Sequence, residues 1–311
     1  MTVSISSFGP DTPTWEVVES LQKNGAVVLT GLASDAAMDT ITEHIDPAFG
    51  DGDPVIMDTN RTLGSLFSLG PMIAETLLLN ERILAVADAI LLPHEVMSAE
   101  TEPPVASTDY RLLDGEDGLT QMIYDTPDPQ LGPNCAHYRV GVGAALQVRK
   151  GSKAQMLHRE TDVYEPFVTY GPQVRENILA VMWAGTDYRL ENGATNLVPG
   201  SQHWPRDRVA RPEEIARAVM PKGSAVLWLG KTLHGSAAST SDDLRTGLLY
   251  TLVPDWLTQE ENQYISVPPA IARELPLRAR QLLGYRASPS IGWVKGRDGQ
   301  DILTEGKAGP L

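Results

Sequence analysis

The sequence predicts one domain of mixed α and β structure, with helices first and a barrel or sandwich of short strands second. Three observations carry this expectation. Apolar residues recur at helical spacing in the segments up to about residue 92. From Tyr138 to Leu252, short apolar runs alternate with the turn signals Lys150-Gly151, Glu191-Asn-Gly193, Pro199-Gly200 and Lys222-Gly223. The 311 residues, 42% hydrophobic and 21% charged, suffice for one large core and exclude a mainly disordered chain. Helices and strands that feed one core favour a single α+β domain over two.

Taken in order, Pro13 to Asn24 carries Trp15, Val17, Val18 and Leu21 at helical spacing, with Thr12 or Thr14 as the expected cap and Gly25 as the stop. Ala26 to Thr30 reads as a short buried strand, Ala33 to Ile45 as a second helix, and Met72 to Leu92 as one or two packed helices. Residues 99 to 135 are turn-rich and acidic, with Glu102-Pro-Pro104, Asp114-Gly-Glu-Asp-Gly118 and Asp125-Thr-Pro-Asp-Pro129. A long connection of this kind reads as a lid or a surface insertion. The strands expected next are Gly141–Val148, Ala154–His158, Ile178–Thr186, Ala194–Val198, Ala225–Trp228 and Gly247–Val253. From Trp256 to Leu283 the pattern returns to helix and loop, and there is no internal repeat.

Charge narrows the function. Asp and Glu number 40 against 25 Lys and Arg, a formal net charge of −15 that opposes nucleic acid and anionic lipid as partners. A small anionic cosubstrate remains compatible, since one or two arginines suffice to hold it. One cysteine, Cys135, excludes an internal disulfide and a thiolate-rich metal site. No run resembles a leader or a membrane span, so a cytoplasmic protein without a membrane partner is expected.

Among the six histidines, His158 stands out by its company. It ends an expected strand with Glu160 two residues on, and on an extended chain the two side chains point the same way. His234 follows a later strand, in Gly230-Lys-Thr-Leu-His-Gly235. Two histidines and one carboxylate on one face suit non-haem Fe(II), which keeps positions open for a cosubstrate and O2. Arg245 then opens the apolar run Arg-Thr-Gly-Leu-Leu-Tyr-Thr-Leu, and a buried guanidinium is best matched by a carboxylate, such as the distal one of 2-oxoglutarate.

Several segments resemble the phytanoyl-CoA dioxygenase family of Fe(II)/2-oxoglutarate-dependent oxygenases. They are Gln155-Met-Leu-His-Arg-Glu160, Met182-Trp-Ala-Gly-Thr-Asp187, Glu191-Asn-Gly-Ala-Thr195, Val198-Pro-Gly-Ser-Gln-His203, Leu233-His-Gly235 and Gln259-Glu-Glu-Asn-Gln263, with Asn24-Gly-Ala-Val-Val28 near the start. The resemblance spans most of the chain and is weakest over residues 95 to 135. It implies a double-stranded β-helix, or jelly roll, flanked by N- and C-terminal helices. It implies His158, Glu160 and His234 as catalytic metal ligands, and Gln155, Thr195 and Arg245 as contacts to 2-oxoglutarate. The likeness is greatest to the branch that oxidises secondary metabolites, so the implied substrate is a small, largely apolar molecule. The implied outcome is hydroxylation of an unactivated C–H, with desaturation, epoxidation or rearrangement as other routes. A homodimer is compatible with the family. The family usually has aspartate where Glu160 stands, so Asp162 is the alternative ligand. A carboxylate at this position also argues against halogenation, which needs that place for chloride.

The remaining residues read more plainly. His203 is expected to support its loop. Trp183 or Trp228 is expected to line the site, because a buried indole N–H needs a partner. Tyr138, Arg139 and Gln147 are candidates for the substrate side, and Asp255, Trp256 and the run Gln259 to Gln263 for the mouth of the site or a dimer contact, with ordinary packing or solvent exposure as the alternative. Cys135 has no activating neighbour and no assigned role. The absence of His-x-His disfavours a cupin of another kind, and the retained His158, His234 and Arg245 disfavour a catalytically silent partner subunit.

Overall fold

The computed structural model describes residues 3–50, 60–92, 110–114, 120–124, 135, 137–164, 176–287 and 292–304. The chain opens with β1 (Ser6–Phe8), α1 (Thr14–Asn24), β2 (Ala26–Leu29), α2 (Asp35–Ile45), β3 (Arg61–Leu63), a short α3 (Pro71–Ile73) continued by a π-turn, and α4 (Glu81–Leu91). Next come β4 (Tyr110–Asp114), β5 (Thr120–Tyr124), β6 (Tyr138–Val148), β7 (Leu179–Ala184), β8 (Asn196–Leu197) and β9 (Ala216–Arg217). After these come β10 (Ala225–Leu229), β11 (His234–Gly235), β12 (Arg245–Pro254) and the helices α5 (Gln263–Ser266), α6 (Pro269–Ala272), α7 (Leu277–Leu282) and α8 (Gly299–Thr304).

A seven-stranded sheet runs β1-β2-β10-β7-β12-β6-β3, and a three-stranded sheet runs β11-β8-β9. Alternation along the central strands decides what each face meets. On β7, Leu179, Val181 and Trp183 enter a core shared with α1, α2 and α4, while Ala180, Met182 and Ala184 enter a second core shared with Leu197 and Ala218 beside the small sheet. β10 divides the same way, with Leu227 and Leu229 on the helix side and Val226 and Trp228 on the inner side. Both faces are buried, so the strands read as unbroken apolar runs. The helix-facing side chains are mostly large, whereas alanines recur on the inner face. The two sheets face each other without closing into a barrel among the described residues, which is the jelly-roll arrangement with flanking helices that the resemblance implies.

Local chemistry explains most element ends. Gly25 takes φ +78° and donates its N–H to Leu21 O at 2.7 Å, a left-handed helix stop, and a Cβ there would collide with Gln202 and Thr232. Ser34 and Asn80 cap α2 and α4 through their side chains. The first helix differs from expectation: Pro13 holds its N-cap position and no side chain caps it, so neither Thr12 nor Thr14 does. The Ala154–His158 strand is also absent. That segment is not paired as a strand; it meets the small sheet through an isolated bridge at His158 and hydrogen bonds between Gln155 and Ser236. Of the expected lid at 99–135, β4 and β5 form an antiparallel pair. Apart from these strands, Cys135 is the only residue of that stretch within the described set.

Candidate active site

The ligand candidates come together where the two sheets open. His158 and His234 exchange backbone hydrogen bonds, N–H to O, at 3.0 Å in each direction. This bridge sets their imidazoles 4.3 Å apart between centroids. Each ring is fixed from behind. Nδ1 of His158 meets Met156 O at 3.0 Å, and Nδ1 of His234 meets Thr232 O at 3.1 Å. A carbonyl only accepts, so Nδ1 donates in both rings; Nε2 of His158 then keeps its lone pair, whereas Nε2 of His234 is turned to the Glu160 carboxylate. Burial, with His234 close by, lowers the pKa of His158 and favours the neutral form that ligates.

Glu160 arrives by a different route from the one the spacing predicts. The chain does not stay extended past His158; Glu160 begins a 3-10 turn, Glu160–Tyr164. That turn is tied to the loop before His234 by Thr161 N–H to Gly230 O at 3.3 Å and by the buried Nε of Arg159 to Lys231 O at 2.9 Å. The turn delivers the Glu160 carboxylate, 12% exposed, to Nε2 of His234 at 3.1 Å. Burial pushes this carboxyl up, but the charge and hydrogen bond of His234, then His158 and Trp228, outweigh it and hold its pKa below the ordinary value. Asp162 is exposed and accepts a 3.0 Å hydrogen bond from Arg159 N–H, so it is occupied at its own turn rather than at the histidines. Trp228 packs against His234 with centroids 4.7 Å apart and so lines the site, whereas Trp183 belongs to the helix-side core.

Among the described residues, no group of three His, Cys, Asp or Glu side chains stands as a ready-formed metal cage. The Glu160 carboxylate is folded onto the His234 nitrogen that a metal would take. The donor chemistry nevertheless suits a divalent ion. Two imidazoles present Nε2 on adjacent backbone positions, and one buried carboxylate reaches the same point.

The other three candidates flank this group. Gln155 is locked beside it: its Oε1 accepts Ser236 N–H at 2.7 Å and its own N–H reaches Ser236 O at 2.9 Å. Thr195 is buried between β8 and the turn at Gly193. Arg245 is 1% exposed at the start of β12 and donates from Nη1 to Gly193 O at 2.6 Å. No carboxylate pairs with it among the described residues, and its Nε has no hydrogen-bond partner there. Gly193 itself needs φ +86°, and a Cβ would stand 2.8 Å from Ala237 O, so this turn is built for glycine.

Several sequence candidates point elsewhere. Tyr138 gives its hydroxyl to Asp88 at 2.7 Å, Gln147 reaches Asp46 at 3.1 Å, and Arg139 donates to Leu257 O at 2.6 Å. Gln259 donates to Val140 O, and Glu261 accepts from Ser65, Gly143, Gln263 and Ser266. These are internal braces. His203 bonds to Gln22 O and supports its loop. Cys135 is buried, and burial lifts its thiol to about 12, so it is inert. Sequence reading passed over Tyr188, a fully buried tyrosine whose ring centroid lies 4.6 Å from the Arg245 guanidinium. Its position just beyond β7 gave no periodic signal.

Comparison with known proteins gives the family of the chain. The family description of phytanoyl-CoA dioxygenase (PhyH) matches residues 21–247. "Dioxygenase ALT11" of Alternaria alternata is 28% identical over 92% of this chain and 88% of its own. "Multifunctional dioxygenase ausE" of Aspergillus calidoustus is 25% identical over 96% and 94%. Among solved structures, HygX from Streptomyces hygroscopicus, with nickel and 2-oxoglutarate bound, shares the fold at TM-score 0.55 and 13% identity over 80% of this chain and 90% of that one. The non-heme alpha ketoglutarate dependent epimerase SnoN from nogalamycin biosynthesis does so at TM-score 0.52 and 15% identity, over 78% and 83%. With the family matched across most of its length and relatives of that kind aligned almost end to end, the chain belongs to the phytanoyl-CoA dioxygenase family and is a dioxygenase.

Proposed function

We propose that this dioxygenase uses Fe(II), 2-oxoglutarate and O2 to oxidise an unactivated C–H bond of a small, largely apolar secondary metabolite. The observation that carries the reading is the pairing of two features. One is the imidazole, imidazole and carboxylate set at His158, His234 and Glu160; the other is a buried arginine, Arg245, with no carboxylate among the described residues to neutralise it. His158, Glu160 and His234 would hold the metal. Arg245, Gln155 and Thr195 would hold 2-oxoglutarate. Iron with O2 and 2-oxoglutarate supplies the oxidising power, and the cosubstrate leaves as succinate and CO2.

The chain's own residues do the rest. The carbonyls of Met156 and Thr232 hold the proton at Nδ1 and aim both imidazoles. Arg245 fixes the cosubstrate by charge in a water-poor interior. Trp228 forms a wall beside His234. Met156 and Val163, exposed on either side of the His158–Glu160 segment, offer apolar contact to a substrate. The fold neighbour HygX from Streptomyces hygroscopicus holds hygromycin B, which supports a small-molecule substrate. One apolar core runs from Val17 to Leu303, which supports a single domain. No helix among the described residues is long and apolar enough to cross a membrane.

The test is anaerobic titration of the metal-free protein with Fe(II) and then 2-oxoglutarate. A weak visible charge-transfer band is expected, and it should vanish in His234→Ala. A folded protein that yields no band and binds no iron would sink the reading.

A further inference from the structure

The inner face of the large sheet carries a polar atom with no work in the structure as it stands. Tyr188 is 1% exposed, and its hydroxyl has no hydrogen-bond partner among the described residues. The inner core it belongs to includes Met182, Ala184, Ala194 and Met220, which offer no side-chain acceptor stronger than a thioether sulfur. For packing alone, phenylalanine would serve and would avoid burying an unpaired hydroxyl. Native interiors rarely leave such a group orphaned without a ligand to satisfy it.

Its placement says what the ligand is. The Tyr188 ring lies 4.6 Å from the Arg245 guanidinium, and the Nε of Arg245 is orphaned too. The hydroxyl lies over the bare backbone of Gly247, where a Cβ would collide with it and stand 2.7 Å from Met182 Sδ. Arg245 and Gly247 are two apart on β12 and so share the inner face. Two unsatisfied donors, one charged and one neutral, therefore stand on neighbouring positions of one buried face. Burial raises the Tyr188 pKa, which Arg245 only partly opposes, so the phenol keeps its proton.

Resting on the cosubstrate reading above, we propose that the Tyr188 hydroxyl donates a hydrogen bond to the distal carboxylate of 2-oxoglutarate, beside Arg245. Tyr188 is then a second reader of that carboxylate. It selects a dicarboxylate over a 2-oxo acid that lacks the distal group.

The experiment is calorimetric titration of the full chain, loaded with Mn(II) under anaerobic conditions, with 2-oxoglutarate and separately with 2-oxobutyrate. The native protein should bind 2-oxoglutarate much more tightly than 2-oxobutyrate. Tyr188→Phe keeps the ring and its packing, so the thermal midpoint of the ligand-free protein should hold or rise. The variant should bind 2-oxoglutarate about tenfold more weakly, with 2-oxobutyrate affinity unchanged, as expected for losing a hydrogen bond to a charged group. Unchanged 2-oxoglutarate affinity in Tyr188→Phe, or an equal loss for both acids, would overturn the assignment while leaving the cosubstrate reading intact. A native protein that binds neither acid, or both alike, would overturn the cosubstrate reading and this proposal with it.

Discussion

At the scale of single residues, the contrast between Glu160 and Asp162 is the sharpest. Both carboxylates lie within one 3-10 turn, yet one is buried against His234 and the other is exposed and bonded to Arg159 N–H. Glu160→Ala should lower Fe(II) affinity by at least tenfold, while Asp162→Ala should leave it nearly unchanged; equilibrium metal competition reads the difference. The opposite ranking would transfer the ligand role to Asp162. Cys135 gives a second prediction at this scale. Burial, and then the charge of Asp255, lifts its thiol from 9.0 to about 12 in the native state. An unfolded thiol ionises near the ordinary value, so between about pH 9 and pH 12 only the unfolded state loses the proton. This group's contribution to stability is therefore complete below about pH 9 and declines as pH rises towards 12. A thiol-reactive disulfide reagent at pH 8 should label Cys135 only after denaturant is added.

At the scale of elements, the sequence was informative wherever one physical pattern dominated. Apolar runs located β7, β10 and β12 to within a few residues, because strands buried on both faces have little other composition open to them. His158, His234 and Arg245 were legible for a related reason: each stands at the end or start of an apolar run, where a polar side chain needs explaining. Long-range pairing was not legible. Ala154–His158 is apolar enough to read as a strand but makes a single bridge, and β1 escaped notice because Ser6–Phe8 is ordered only by its parallel partner β2. Glu261 was missed as a brace for the same reason. It joins the turn at Ser65, the strand β6 and the C-terminal segment, through Ser65 N–H at 2.6 Å, Gly143 N–H at 3.0 Å and Ser266 Oγ at 3.1 Å. No spacing in the sequence links those positions. Glu261→Ala orphans several donors at once and should cost about 2–4 kcal/mol in denaturant unfolding, well above the loss of one neutral hydrogen bond. Glu261→Gln should recover part of it.

At the scale of the whole molecule, the site sits between parts of the chain that are far apart in sequence. His158 and Glu160 lie on the run after β6, His234 on the small sheet, and Arg245 on the large one. Ligands that bridge these parts bind only the folded state. Mn(II) with 2-oxoglutarate at about a hundred times its dissociation constant should add about 2.7 kcal/mol of stability. The thermal midpoint should then rise by about 4 °C. In His234→Ala the rise should disappear, and differential scanning fluorimetry measures both. The net charge of −15 belongs to this scale as well. It leaves the interior arginine as a local exception within a negative molecule, so selection for a small dicarboxylate depends on entry into the sheet rather than on attraction from outside.

The reciprocal backbone bridge between His158 and His234 has a kinetic consequence. With the proposed ligand set, the two imidazoles are held at fixed separation by the fold itself and would act as one bidentate claw, whose chelate entropy is spent when the chain folds. Glu160 would be the arm that swings, from its hydrogen bond with His234 to the ion. Metal exchange would then turn on the rotation of one side chain and not on unfolding.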